Sequence, residues 1–344
     1  GALSNRANVL QDLGRYEEAL SSYDRALTIE PSFAPALYNR GNVLMDMKRP
    51  LDALASYDKS LACQPDYAEA FYNRGVVLRD LHCFEDAVES YRKAIALKPG
   101  YAEALNSLGW SLLQDLGRHE EAVASFRQAL KIDPDQEYAL GNFIYAELQV
   151  CDWSEYAANV KRLSACVQAS KRATHPFVFM AVSPAPEEQY LCAKSWVADR
   201  CPGAPSPIWR GEQYSHPKIR VAYLSADFHN HATAHLVAEL FERHDQQRFE
   251  TIGISFGPDD QGEMRARLQR SFSRFLDVRM KSDREVAHLM RELEIDIAID
   301  LKGFTQDCRT GILAQRPAPI QVNYLGYPGT MGADYVDYIV ADRY

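Results

Sequence analysis

No stretch of this 344-residue sequence is apolar for the roughly 20 consecutive residues that a membrane-spanning helix needs. It does not open on a secretory leader either, and residue 1 falls inside a repeat. Basic residues are not in excess: 38 Lys and Arg stand against 47 Asp and Glu, a net charge of −9. A nucleic-acid or anionic-membrane binder would need the opposite balance. The seven cysteines form no CxxC pair and are odd in number, so they read as separate reduced thiols of a cytoplasmic protein rather than a disulfide frame. Three phosphate and nucleophile signatures are missing as well. No GxGxxG follows a strand, no GxxxxGK[ST] occurs, and no GxSxG elbow exists. Dinucleotide binding, P-loop phosphoryl transfer and serine-hydrolase chemistry are thereby disfavoured.

What is present begins with a period. Pro31, Pro65 and Pro99 are 34 residues apart, and Pro134 follows after 35. Gly41, Gly75 and Gly109 keep step, as do Ala53, Ala87 and Ala122, and Tyr57, Tyr91 and Phe126. This is the tetratricopeptide pattern: small residues let paired helices approach, an aromatic fills the space between hairpins, and proline stops the second helix. Residues 1–150 are expected to form about four repeats and a degenerate last helix, an α-solenoid with a concave groove. The extra residue of the fourth unit falls near "LLQDLGR", where the interhelical turn can absorb it. Two positions before each glycine lie Asn39, Asn73 and Ser107, with Asn5 and Asn142 in register. Such a column is either a solvated face or an amide ladder that reads the main chain of an extended peptide, because Asn offers donor and acceptor together.

Residues 151–217 break the period and gather prolines and aromatics, which predicts a helical and irregular connecting subdomain. From 218 to 344 strands alternate with helices: "IRVAYLS", "FETIGISF", "RFLDV", "IDIAIDL", "PIQVNYLG" and "VDYIVAD" are the strand segments. Ser282 with Glu285 three residues on predicts a capping box. This alternation predicts parallel βαβ units, a Rossmann-like α/β lobe of about 125 residues.

Ligands of such sheets bind beyond the carboxyl ends of the strands, where loops 225–233, 302–310 and 325–333 meet. In "LSADFHNHATAH" three histidines invite a metal site, yet only His231 and His235 have helical i, i+4 spacing. His235 is expected to pack or bond to the strand, and His229 to be a loop residue. His231, at the start of the next helix, is the candidate catalytic residue: a general base, an anion donor, or simply a satisfied turn histidine. Lys302 and Thr305 could meet a phosphate or a sugar hydroxyl. The loop "LGYPGTMGAD" offers Tyr327, Pro328, Gly329 and Thr330 as substrate contacts, glycine permitting close backbone approach.

Taken together, "IRVAYLSADFHNHATAHL", "LKGFTQD", "RPAPIQVNYLGYPGTMGADYVDYIVAD" and "CDWSEY", behind a tetratricopeptide array, resemble the nucleocytoplasmic protein O-GlcNAc transferases over essentially the whole chain. The resemblance implies a GT-B glycosyltransferase. It would move N-acetylglucosamine from UDP-GlcNAc to Ser or Thr hydroxyls of proteins, inverting the anomeric centre with no cofactor and no required metal. It also implies that the histidine of "DF-x-NH", here His231, is the base or a positioning group, that Asp227 of the same motif contacts substrate, and that Asn39, Asn73 and Asn142 line the acceptor groove. His229 and Ala232 stand where relatives often carry Gly and Pro. The second lobe, which supplies most of the UDP site in that family, is not in this sequence. Expected partners are protein or peptide acceptors and a UDP-sugar, with self-association through the repeats. The rival reading is a non-enzymatic peptide-binding scaffold fused to a degenerate α/β domain, and a zinc enzyme at the three histidines is a third.

Overall fold

A computed structural model describes residues 1–341, so the last three residues of the expected lobe lie outside the described residues. The chain divides into two compact units, Gly1–Lys161 and Arg162–Tyr344.

The first unit is helical. Hairpins α1 (Ala2–Asp12) with α2 (Tyr16–Ile29), α3 (Ala34–Asp46) with α4 (Pro50–Cys63), and α5 (Ala68–Asp80) with α6 (Phe84–Leu97) precede α7 (Ala102–Trp110) and α8 (His119–Ile132). Helix α9 (Ala139–Gln149) follows, and α10 (Tyr156–Gln168) runs across the division. The period has a steric cause. A Cβ on Gly41 would lie 2.5 Å from the Tyr57 ring, and one on Gly109 would lie 2.7 Å from Phe126, so glycine is what admits each buried aromatic. Burying such a ring is worth roughly 1.5–3 kcal/mol. The interhelical turns place Gly14, Lys48, His82 and Gly117 at left-handed φ between 58° and 70°. The fourth unit's extra residue is taken up inside the helix rather than in the turn. Ser111–Asp115 forms a π turn that prolongs α7, the usual way a single insertion is accommodated in a helix.

In the second unit α11 (Pro176–Val182) and α12 (Pro186–Arg200) precede a six-stranded, all-parallel sheet. Its members are β1 (Ile219–Ser225), β2 (Phe249–Ser255), β3 (Arg274–Asp277), β4 (Ile297–Asp300), β5 (Ile320–Tyr324) and β6 (Tyr338–Val340), in the order β3-β2-β1-β4-β5-β6. Helices α13 (Ala232–Glu242), α14 (Glu263–Ser271), α15 (Asp283–Glu292) and the short α16 (Thr310–Ala314) connect them. Val221 and Tyr223 of β1 pack with Val237 and Phe241 of α13 on one face, while Ala222 and Leu224 face the cluster built by Val286 and Met290 of α15 on the other. Ala193 and Val197 of α12 join that second cluster, which ties the connecting helices to the sheet unit. Because β1 and β4 are neighbours and their crossovers leave in opposite directions, the chain reverses between them. The loops after β1 and β4 therefore meet at the switch point of the sheet.

Candidate active site at the carboxyl edge of the sheet

The loop after β1 is held from two sides. Lys302, on the loop after β4, is buried and donates through Nζ to both carboxylate oxygens of Asp227, at 2.8 and 2.9 Å. Arg265 of α14 is buried too. It donates to the Phe228 carbonyl and to Ser255 Oγ (both 3.0 Å), lies 2.9 Å from Asp259, and reaches Asp277 at 3.1 Å. Asp260 adds a third tie by accepting the Asn230 N–H at 3.0 Å. That bond is the main reason its carboxyl lies below the usual carboxylate range. Close backbone approach completes the edge: a Cβ on Gly257 would sit 1.7 Å from the Ala226 carbonyl oxygen, and one on Gly326 would sit 2.0 Å from that of Leu301.

This frame carries His231 as the N-cap of α13. Its Nδ1 accepts the Thr233 N–H at 3.2 Å, and the side chain is 43% exposed. Asp227 Oδ2 lies 3.6 Å from the same Nδ1, beyond hydrogen-bonding range. With Nδ1 accepting, the neutral ring carries its proton on Nε2 and offers an N–H outward. Beneath the loop, Asp300 accepts the N–H groups of Lys302 (2.9 Å) and Gly303 (3.1 Å), yet burial pushes its carboxyl up to about 6.

The other expected site residues are distributed unevenly. Thr305 donates to the Lys302 carbonyl at 2.9 Å and is half-buried. Lys302 is neither a free loop lysine nor an open phosphate donor, because Asp227 occupies it. Tyr327 is 2% exposed and stacks edge-on against Phe304, 5.2 Å between centroids; it packs the core instead of facing a substrate. Gly329 lies against the Tyr327 ring, Pro328 is exposed, and Thr330 Oγ1 accepts the Gly332 N–H. His235 does not pack. It is exposed and bonds Asn230 Oδ1 at 3.0 Å, because the buried face of α13 belongs to Ala234, Val237, Ala238 and Phe241. His229 lies 5.6 Å from His231, ring to ring. Among the described residues no three His, Cys, Asp or Glu side chains gather as a metal site.

Arg265, Asp300 and His175 were not singled out from sequence. His175 caps α11 through the Phe177 N–H and sits edge-on to Trp196 at 4.3 Å and to Phe304 at 6.4 Å. Burial lowers it to about 4, so it is neutral at physiological pH.

In the repeats the asparagine column is tied to a second one. Asn39 donates to Asn8 Oδ1 at 3.3 Å, and Asn73 donates to Asn42 Oδ1 at 2.9 Å. The same oxygens accept the hydroxyls of Tyr23 and Tyr57. Asn8 and Asn42 are 34 residues apart, so the second column was visible in the sequence. Asn142 departs from the expectation: it is 6% exposed and spends its amide on Asn106, so it does not line the groove.

A helical repeat array and a parallel α/β sheet with a polar switch-point edge are the architecture of a glycosyltransferase lobe behind a tetratricopeptide solenoid. The glycosyl transferase family 41 model matches residues 150–344, and the chain belongs to that family. Tetratricopeptide repeat models match residues 7–48, 38–100 and 72–137. A probable UDP-N-acetylglucosamine–peptide N-acetylglucosaminyltransferase of Arabidopsis thaliana, SEC, is 39% identical over 127 residues, 37% of this chain and 13% of that protein. The UDP-N-acetylglucosamine–peptide N-acetylglucosaminyltransferase of Caenorhabditis elegans is 31% identical over 210 residues, 56% of this chain and 18% of that protein. This chain therefore spans less than a fifth of either relative's length. A mutant of the Thermobaculum terrenum O-GlcNAc transferase superposes with a TM-score of 0.51 at 24% identity, covering 90% of this chain and 54% of that one. That likeness speaks to the fold.

Proposed function

We propose that the protein transfers N-acetylglucosamine from UDP-GlcNAc to Ser or Thr hydroxyls of protein acceptors, with the repeats binding an extended segment of the acceptor. The observation that carries this reading is His231, capping α13 at the switch point of a family 41 domain with its Nε2 directed away from its own cap. An Nε2–H donor there suits a group that holds a substrate oxygen while the hydroxyl attacks the anomeric carbon in line. The acceptor proton then passes toward the departing diphosphate rather than to His231. No catalytic metal is called for in this scheme, because UDP leaves as an anion that donors can hold. The amides of Asn39 and Asn73, anchored to Asn8 and Asn42, keep their carbonyl oxygens for a peptide main chain. The test uses the protein at its native length with radiolabelled UDP-GlcNAc and a panel of Ser/Thr peptides. Transfer that falls at least about 100-fold in His231→Ala supports the reading, in line with the loss of one positioned donor. Peptide binding with no UDP-GlcNAc turnover would leave the scaffold reading in its place.

A further inference from the structure

We propose that Lys302 is a positioning residue that decides which nitrogen of His231 bears the proton. The inference rests on reading His231 as the substrate-facing group, and it concerns this chain's own electrostatics.

Asp227 and His231 are four residues apart across the turn that starts α13, with Oδ2 and Nδ1 separated by 3.6 Å. Left to themselves, a carboxylate and an imidazole at that spacing close into a dyad: the carboxylate takes Nδ1–H, and Nε2 becomes a lone pair that can act as a base. Lys302 prevents this. It arrives from the neighbouring loop, buried, and engages both oxygens of Asp227. The carboxylate's charge is met by the ammonium, and Nδ1 turns to the Thr233 amide instead. Proton bookkeeping follows directly. The ring proton resides on Nε2, so His231 donates to its substrate, and the base tautomer is disfavoured.

Other charged and titratable groups surround the trio. His229 lies ring to ring with His231 on the same loop. Asp260 holds Asn230 from the β2–α14 loop, and His235 of α13 bonds the Asn230 side chain. Arg265 of α14 holds the Phe228 carbonyl, and Asp300 lies under Lys302. Within hydrogen-bonding distance of the Asp227 carboxylate, Lys302 is the cation present. A change at Lys302 therefore reaches His231 through Asp227.

The experiment records this chain labelled with ¹⁵N-histidine at alkaline pH, through the two-bond ring correlations that separate Nδ1–H from Nε2–H tautomers. The parent is expected to show His231 as Nε2–H. In Lys302→Met, or in Lys302→Gln if the methionine variant does not fold, His231 is expected to become Nδ1–H. Lys302→Arg restores the parent tautomer, and Asp227→Asn combined with Lys302→Gln returns His231 to Nε2–H. A folded Lys302→Gln chain with the parent tautomer overturns the proposal, as does a double variant that stays Nδ1–H. No sugar transfer is measured, so a failure of the transferase reading would appear separately, as absent turnover with these tautomers unchanged.

Discussion

Tyr23, Tyr57 and Tyr91 share one column of the repeats, and all three rings are buried. Tyr23 and Tyr57 donate to Asn8 and Asn42, but the residue in register for Tyr91 is Val76, and the Tyr91 hydroxyl has no partner in the buried interior. A buried hydroxyl left unmet costs about 1–3 kcal/mol, whereas a satisfied one contributes about 1 kcal/mol. Tyr57→Phe is therefore expected to lower the stability of the repeat unit by about 1 kcal/mol. Tyr91→Phe removes a liability and is expected to be neutral or to stabilise by up to about 1 kcal/mol. Val76→Asn should supply the missing acceptor at little cost in helix propensity, since Asn and Val rank together. In that background Tyr91→Phe should now cost about 1 kcal/mol, which makes a double-mutant cycle with a coupling of about that size. Urea denaturation followed by circular dichroism at helical wavelengths measures all four states. Equal losses for Tyr57→Phe and Tyr91→Phe would refute the reasoning, because the two rings differ chiefly in whether the hydroxyl is met.

Three further outcomes are expected. Asp300 has a folded-state pKa of about 6, above its ordinary value of 3.8, so the folded state holds the extra proton. The stability it contributes is complete below about pH 4 and is lost as pH rises through 6, on the order of 2–3 kcal/mol; Asp300→Asn should flatten that part of the stability–pH curve. Gly257→Ala places a Cβ against the Ala226 carbonyl and is expected to destabilise the sheet unit by about 3 kcal/mol, with amide shifts concentrated in residues 226–231. Ser282→Ala removes the capping box, in which Ser282 Oγ accepts the Glu285 N–H and Glu285 accepts the Ser282 N–H, at a cost of about 1 kcal/mol by thermal denaturation.

Periodicity exposed the repeats because each one must solve the same packing problem, so Gly41, Gly75 and Gly109 recur where a ring must fit. The six strands were legible for a related reason. Short runs rich in β-branched and aromatic residues alternate with helical patterns, and β1, buried from Val221 to Ser225, is written as a nearly continuous apolar run. His231 at the start of a helix, and the Ser282 box, followed from local sequence alone. The partnership of Lys302 with Asp227 did not, because 75 residues separate them and only the fold brings them together. Arg265 sits in the polar-looking stretch "EMRARLQRS", where nothing local marks one arginine as buried. Tyr327 and Asn142 misled for the same reason: a motif tells which residues a loop or column contains, not which of them turn inward.

The strand order has a consequence in time. Each repeat finds its contacts within a few dozen residues, so the first unit is built from local encounters and can form early. The sheet is different. β1 lies at its centre, flanked by β2 and by β4, and the Arg220 N–H is bonded to Asp296, 76 residues further along. During synthesis at roughly 5–20 residues per second, β1 and β2 must wait several seconds with one edge open before β4 arrives. For that interval an apolar strand edge is exposed after the solenoid has already folded, and it is there that misassembly of this chain is expected to begin.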